Sequence, residues 1–509
     1  MRTKVIIKNG IYSTISFLIL IILGLIDRKV FLHILNIEYL GYEGLFSNIF
    51  SLLSLAEMGV GSVITYNLYY EIARQNKNEI TKLMMIYKNI YRFIGIFVTV
   101  IGILIIPFLK FLIIDNQISF AYIIMIYLVL LISTICTYFL AYRRILFIAN
   151  QMEFECIKVD TIVNIIIQIV KILVLIWSQN YIFYLSINII KNILSNLIIS
   201  RKYKKTFSFA LKVHISFEDF KSRNFFKDIK NFMIHKISYL VYGGISNIVI
   251  TTILGINTVG FFSNYMLIKT HVWTVINKML NPMQATIGNL VYSEDSSEKG
   301  EKIFFMLEMG SFFLASFISI TLFIFFQPFM EVWLGKQYLQ SLFFVFLLAH
   351  NIYIGTIHEI LYYFRTAFGV YELDRKYMLY AAIVNLILSI GLTKKMGLSG
   401  IMIGSNIGLM FIWYGRLKVV FNKYIKQSVK IYIYKHIVWM LLAFCEGVVV
   451  YIITRNIANN LSGLCFKLVV CIIIPNSINL IIFYRTNAFK MIRQYAKQVF
   501  NIVRSKLSL

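Results

Sequence analysis

The sequence predicts an all-α polytopic membrane protein with about 14 transmembrane helices: two six-helix lobes, then two further helices. Three observations lead there. The composition is 59% hydrophobic and only 14% charged, with a mean hydropathy of +0.75. A soluble chain of 509 residues cannot hide that much apolar surface, because a core of this size stops growing and divides into domains. The apolar residues come in runs of about 20, the length that crosses a bilayer as a helix. Lysine and arginine fall between those runs, on alternate connections.

The runs lie at approximately 10–26, 42–66, 90–110, 119–142, 160–178, 181–200, 231–254, 258–283, 303–327, 341–364, 378–393, 398–415, 436–453 and 462–484. Arg2, Lys4 and Lys8 precede the first, as in a signal peptide. No small-x-small cleavage site follows it, and 13 more runs do, so it reads as a retained helix. With the N-terminus in the cytoplasm, the inner segments hold 36 of the 50 Lys and Arg residues. The outer loops hold Arg28, Lys29, Lys110, Lys336, Lys394, Lys395 and Arg455, and the rest lie inside runs. Both termini are therefore expected on the cytoplasmic side.

The net charge of +27 is spread over these connections, not gathered on one face, which argues against a nucleic-acid partner. Cys136, Cys156, Cys445, Cys465 and Cys471 contain no Cys-x-x-Cys pair and suit neither a disulfide framework nor a zinc site. No metal or other cofactor is implied.

The expected organisation is an N-terminal lobe (1–200), a basic linker (201–230), a second lobe (231–425), two additional spans (426–484) and a basic tail (485–509). In the linker, Ser216 and Asp219 form a capping pair, and Phe217, Phe220 and Phe225 alternate with Lys221, Arg223 and Lys227. The tail repeats the theme: Phe489, Ile492, Ala496, Val499 and Val503 follow helical spacing among basic residues. Both read as helices lying on a membrane surface and attracted to anionic lipids.

A short internal repeat supports the two lobes. "LNIEYLGYEGLF", from Leu35, aligns without a gap on "LGINTVGFFSNY", from Leu254. Leu35, Ile37, Gly41 and Tyr42 meet Leu254, Ile256, Gly260 and Phe261. Six spans separate the two pieces, an even number, so the halves run parallel around an axis along the membrane normal. Transporters built this way place substrate between the halves.

Helical spacing puts polar residues on single faces of otherwise apolar spans. Ser47, Ser51, Ser54, Glu57, Gly61 and Thr65 share a face of span two. Asp160, Asn164, Gln168 and Lys171 line span five, and Tyr181, Tyr184, Asn188, Lys191, Asn192 and Ser195 line span six. His235, Tyr239, Tyr242 and Ser246 fall together in span seven, and Asn264, His271 and Lys278 in span eight. Span ten gathers His350, Asn351, His358, Tyr362 and Arg365. A central lysine costs roughly 3 kcal/mol on insertion scales, and each Leu, Ile or Val returns roughly 0.3–0.6, so these spans still insert.

Small and hydroxyl residues on such faces also serve helix packing, and Lys236 and Lys278 lie near enough to the inner ends to snorkel. Lys191, about ten residues from either end, has no such exit. Glu359, Lys269 and Glu446 fall outside the pattern. If the stripes converge, the expected cavity carries Lys171 and Lys191, with Lys278, Arg365 and Arg92, beside His271 and His350. Glu57 is the main carboxylate expected among them, as partner or as protonatable switch. Such a net-positive cavity suits an anionic headgroup.

The run "RKVFLHILNIEYLGYEGLFSNIFSLLSLAEMGVGSVITYNLYYEIARQNKNEITKLMMIYKNIYRFIG" resembles the N-terminal signature of polysaccharide repeat-unit flippases. These are Wzx-type members of the multidrug/oligosaccharidyl-lipid/polysaccharide (MOP) exporter superfamily, which includes the MATE transporters. "GINTVGFFSNYMLI", "ATIGNLVYSE", "PFMEVWLGKQYL", "FRTAFGVYELDRKY" and "NLILSIGL" resemble the family's later motifs, spread over roughly residues 28–425. The resemblance implies transfer of an undecaprenyl-pyrophosphate-linked oligosaccharide from the inner to the outer leaflet of a bacterial cell membrane. A polysaccharide polymerase and chain-length regulators are the implied protein partners. It also places Glu57 in a Leu-Ala-Glu element and makes Arg28 the start of an outer-loop motif. Ser246 and Asn150 stand where many relatives carry Asp, which leaves the lobes less acidic.

The leading expectation is a flippase working by alternating access. A multidrug cation antiporter of the same fold predicts a carboxylate-dominated site. A membrane glycosyltransferase or polymerase predicts a large outer loop or paired acids, whereas Asp27, Glu38, Glu43, Asp115 and Glu331 are scattered. With no Walker A motif either, the chain reads as a transporter and not an enzyme.

Overall fold

The computed structural model describes residues 2–54, 60–113, 118–211, 244–291, 296–370 and 373–507. Every regular element among them is helical. Ten of these helices are long and apolar enough to cross a membrane. They coincide with ten of the expected runs. The run at 10–26 falls in a 33-residue helix, Arg2–Ile34, and that at 258–283 in Ile256–Leu280. The runs at 42–66 and 231–254 include residues outside the described ones, as do Glu57 and most of the linker with Ser216 and Asp219.

The chain forms two compact units, Met1–Asn264 and Tyr265–Leu509. The first contains α1 (Arg2–Ile34), α2 (Ile37–Leu53), α3 (Val60–Ala73), α4 (Lys77–Ile105), α5 (Phe120–Leu140), α6 (Arg144–Ala149), α7 (Glu153–Ser178), α8 (Tyr181–Thr206) and α9 (Ser246–Leu254). It also holds the start of α10 (Ile256–Leu280), within which the division falls. The second holds the rest of α10, then α11 (Pro282–Val291), α12 (Ser296–Trp333), α13 (Leu342–Ala367), α14 (Arg375–Met396), α15 (Leu398–Lys423), α16 (Val429–Thr454), α17 (Leu461–Phe483) and α18 (Asn487–Leu507).

Short, capped turns connect the spans. Asn180 accepts from the Ile182 amide at the start of α8, Ser341 from Phe344 in α13, and Asn460 from Gly463 in α17. These bonds satisfy amides that a helix start leaves orphaned, which matters most where water is scarce. The turn before α8 is closed by Gln179 at φ 49°.

The faces are those of a protein solvated by lipid. On α7, Ile162, Ile166, Leu173 and Trp177 are 54%, 52%, 59% and 84% exposed. They recur at helical spacing on the side away from Lys171, which is 8% exposed. In water such a surface is an aggregation site; in a bilayer it is the ordinary exterior.

One sequence expectation is corrected here. Arg28 and Lys29 were expected in an outer loop, but α1 continues unbroken to Ile34 and places both within the helix. Residues 27–34 contain no Gly or Pro, and the chain turns only at Leu35–Asn36.

The internal repeat has a physical counterpart. A methyl group at Gly260 would lie 2.5 Å from the Ile37 carbonyl oxygen, and one at Gly41 would collide with the Ile256 carbonyl. The two pairs, Gly41 on Ile256 and Gly260 on Ile37, are reciprocal under the ungapped alignment, as a local twofold axis requires. Asn247 stitches the same contact, its Nδ2 donating to the Gly44 carbonyl at 3.0 Å. This packing against α2 brings α9 and the first turns of α10 into the first unit.

In the second unit, buried Glu308 of α12 lies 2.6 Å from His436 Nε2 and 3.2 Å from Lys435 Nζ. This joins α16 to the bundle, while Phe489 of α18 packs on Phe313.

The glycine contact is directly testable. Gly41→Ala and Gly260→Ala each place a methyl group against backbone and are expected to destabilise by about 1–3 kcal/mol. Combined, they should cost clearly less than the sum, because one contact is lost twice. Gly24→Ala, with open space around it, should be neutral or stabilising. Thermal unfolding in a fixed detergent measures all four proteins.

Candidate functional site

Three of the expected cations meet inside the first unit. Lys171 descends from the Asp160–Lys171 face of α7, and Lys191 from the Tyr184–Ser195 face of α8. Helix α1, packed on α7, contributes Asp27 and Arg28. The Tyr184 hydroxyl donates to Asp27 Oδ2 at 2.7 Å, and Lys171 Nζ sits 4.1 Å from the centre of the Tyr184 ring. A desolvated ammonium over an aromatic face is stabilised by the ring quadrupole. Arg28 Nη1 donates to Ser263 Oγ at 3.2 Å and Asn264 Oδ1 at 3.3 Å. Lys191, half-buried, has Lys171, Asp160 and Glu43 as charged neighbours.

A second network lies further along the same helices. Arg144 clamps Asp160 with both terminal nitrogens, at 2.6 and 2.9 Å, and adds bonds to Asn196 and Ser195. Ser195 in turn donates to Asp160 Oδ1. This bidentate geometry fixes α6, α7 and α8 together. Beside the cation cluster, Phe31 packs on Tyr181 and Tyr184 with ring centres 5.7 and 5.3 Å apart, and Tyr39 on Tyr181 at 4.6 Å. The result is a polar seam with an aromatic wall.

The remaining expected residues are carried by other elements of the two units. Arg92 is exposed on α4, where Lys88 has it and Arg143 as neighbours. In the second unit Lys278 is exposed near the end of α10, and His271 is half-buried on the same helix. His350 lines an almost wholly apolar cavity of about 520 Å³ among α12, α13 and α16, its ring 6.1 Å from that of Phe346. Arg365 is buried, and its Nε and Nη2 reach Asp374 Oδ2 at 2.8 and 2.7 Å. That pair, with Arg416 3.9 Å away, holds the α13–α14 turn. Glu57 lies outside the described residues.

The seam is also less cationic than the sequence implied. Asp27, Glu43 and Tyr184 belong to it, and Asp27 keeps one oxygen, Oδ1, without a partner among the described residues. By sequence Asp27 falls just after the first run and Glu43 at the start of the second. The available signal was the absence of a helix breaker after Ile26, which carries α1 on through Asp27 and Arg28.

No protein-family model and no curated protein matches this sequence. Solved structures do. The chain is similar to the lipid II flippase MurJ in an inward closed conformation, with TM-score 0.68 and 15% identity over 93% of this chain and 99% of that one. It is similar to an inward-facing multidrug resistance MATE family transporter of the MOP superfamily, with TM-score 0.60 and 16% identity over 79% and 94%. A MOP superfamily transporter from Pyrococcus furiosus gives 0.55 and 16% over 83% and 96%. These likenesses define the class: the chain is an all-α polytopic membrane protein with the MOP fold. At 15–16% identity the likeness is one of fold.

The Asp27–Tyr184 bond is expected to be energetically coupled. A double-mutant cycle of Asp27→Asn and Tyr184→Phe, read by thermal unfolding, should give a coupling of about 1–3 kcal/mol, as for hydrogen bonds to charged groups.

Proposed function

We propose that the protein is a flippase that moves undecaprenyl-pyrophosphate-linked oligosaccharide repeat units from the inner to the outer leaflet of a bacterial cell membrane. The supporting observation is the gathering of Arg28, Lys171 and Lys191 on helices that otherwise face lipid. Three cations gathered within one helix bundle are costly unless a counter-charge arrives, and a pyrophosphate supplies two or more negative oxygens. Arginine offers a planar fork for such oxygens, and the lysines offer point charges. Asp27 and Glu43 balance the seam while it is empty. The free oxygen of Asp27 and the rings of Tyr39, Tyr181 and Tyr184 suit the hydroxyls and apolar faces of a sugar.

The hydrocarbon carrier remains in an apolar environment. Exposing the seam first to one side and then to the other moves the headgroup without chemistry. Lys and Arg asymmetry puts both termini in the cytoplasm, and the anionic inner leaflet attracts the basic tail.

A second reading, multidrug cation antiport on the same fold, rests on buried Asp27 with its unpartnered oxygen. The two readings predict opposite substrate charges. In vesicles carrying purified protein and lipid-linked oligosaccharide, headgroups should become accessible from the far leaflet. Lys191→Ala and Lys171→Ala should slow that movement by roughly tenfold or more, equivalent to about 1.4 kcal/mol each. Wild type that moves organic cations but no lipid-linked glycan contradicts the proposal and establishes the antiporter.

A further inference from the structure

Glu446 is 1% exposed in the middle of α16, far from the polar seam in sequence and on a different unit. The polar cluster around it draws on three other helices. Asn479 of α17, also 1% exposed, places Nδ2 3.4 Å from Glu446 Oε2 and 3.1 Å from Ser316 Oγ of α12. Tyr353 of α13 is the titratable group that faces it. Of the other charged groups on these helices, Lys435 and His436 bind Glu308, Lys467 binds Asn459, and Arg493 binds Tyr484. His350 stacks on Phe346, Cys445 is exposed, and Cys471 lies beside Thr321.

The hydrogen-bond arithmetic does not close for a carboxylate. Glu446 Oε1 and Asn479 Oδ1, two buried acceptors, have no donor among the described residues. One proton on the carboxyl supplies the missing donor. The Tyr353 hydroxyl, itself without a partner among the described residues, reaches neither oxygen, so an acid O–H donating to the amide carbonyl, with the amide N–H on the acid, is the pairing that serves both orphans. Exchanging O and N of the Asn479 amide brings its oxygen against the carboxyl and again requires the proton. An unpaired charge in this apolar setting is the costliest alternative.

We propose that Glu446 is a proton-binding site, a neutral carboxylic acid that fastens α16 and α17 onto α12. The carboxylate takes the proton from solvent, one O–H bond forms, and nothing else changes covalently. Losing it leaves a bare charge between the helices and loosens the last two spans. Ala443 and Gly447, which flank Glu446, line the apolar cavity of the second unit, so the cavity wall depends on the same proton.

The test uses the full chain in lipid nanodiscs. Infrared difference spectra at neutral pH, wild type minus Glu446→Gln, should show the carbonyl band of a protonated carboxylic acid. Gln copies the neutral acid without needing a proton, so this variant should match the wild-type unfolding temperature at acid pH, where the unfolded carboxyl is protonated too, and keep it as pH rises. The wild type should lose both the band and thermal stability as pH rises. Glu446→Ala should unfold earlier at every pH. Absence of the band overturns the proposal, and so does a Gln variant that fails to fold. Stabilisation of wild type by sodium at constant ionic strength, without the band, overturns it in favour of a metal cation.

Discussion

A polar group in hydrocarbon has no water to fall back on, and this constraint organises the molecule. Each buried charge described above is placed against another helix. Asp27 takes the Tyr184 hydroxyl, Lys171 takes its ring, and Arg144 clamps Asp160. Arg365 closes on Asp374, and Glu308 on His436 and Lys435. Removing one partner strands the other in a medium that cannot solvate it, so these pairs specify which helices meet. In the bilayer exterior helices gain nothing by hiding Leu or Ile from lipid, which leaves polar pairs and close backbone packing to direct assembly.

Close packing is represented by the glycines. Gly41 and Gly260 let α2 and α10 approach until a single methyl group would collide with the facing carbonyl. Each occupies the same place in the internal repeat, and each meets the isoleucine that begins the other's helix. A contact of this kind is made twice by one piece of geometry, so both halves of the repeat depend on it equally. It also accounts for the placement of α9 and the first turns of α10 with the N-terminal helices.

Much of this was legible in the sequence. Runs of about 20 apolar residues located the spans, and the spacing of Asp160, Asn164, Gln168 and Lys171 gave the polar face of α7 correctly. The ungapped match between Leu35 and Leu254 anticipated the reciprocal glycines. What escaped was tertiary. Asp27 and Arg28 looked like loop residues because hydropathy falls at Asp27, although helix geometry needs a breaker that arrives only at Leu35–Asn36. Arg365 shares a periodic face with His350, while its partner Asp374 lies across a turn that periodicity does not show, and His350 lines an apolar cavity. Glu446 had no periodic partner, since the cluster around it is assembled from other helices.

The central claim is that the seam of Arg28, Lys171 and Lys191 recognises an anionic headgroup. Binding to the purified protein in nanodiscs tests it most directly, comparing undecaprenyl-pyrophosphate-linked oligosaccharide with the same glycan on an uncharged polyprenyl carrier. The account predicts that the pyrophosphate form binds roughly a hundredfold more tightly, about 2.8 kcal/mol. It also predicts that Lys171→Ala combined with Lys191→Ala removes most of that difference. Equal affinity of wild type for the charged and uncharged forms would contradict it.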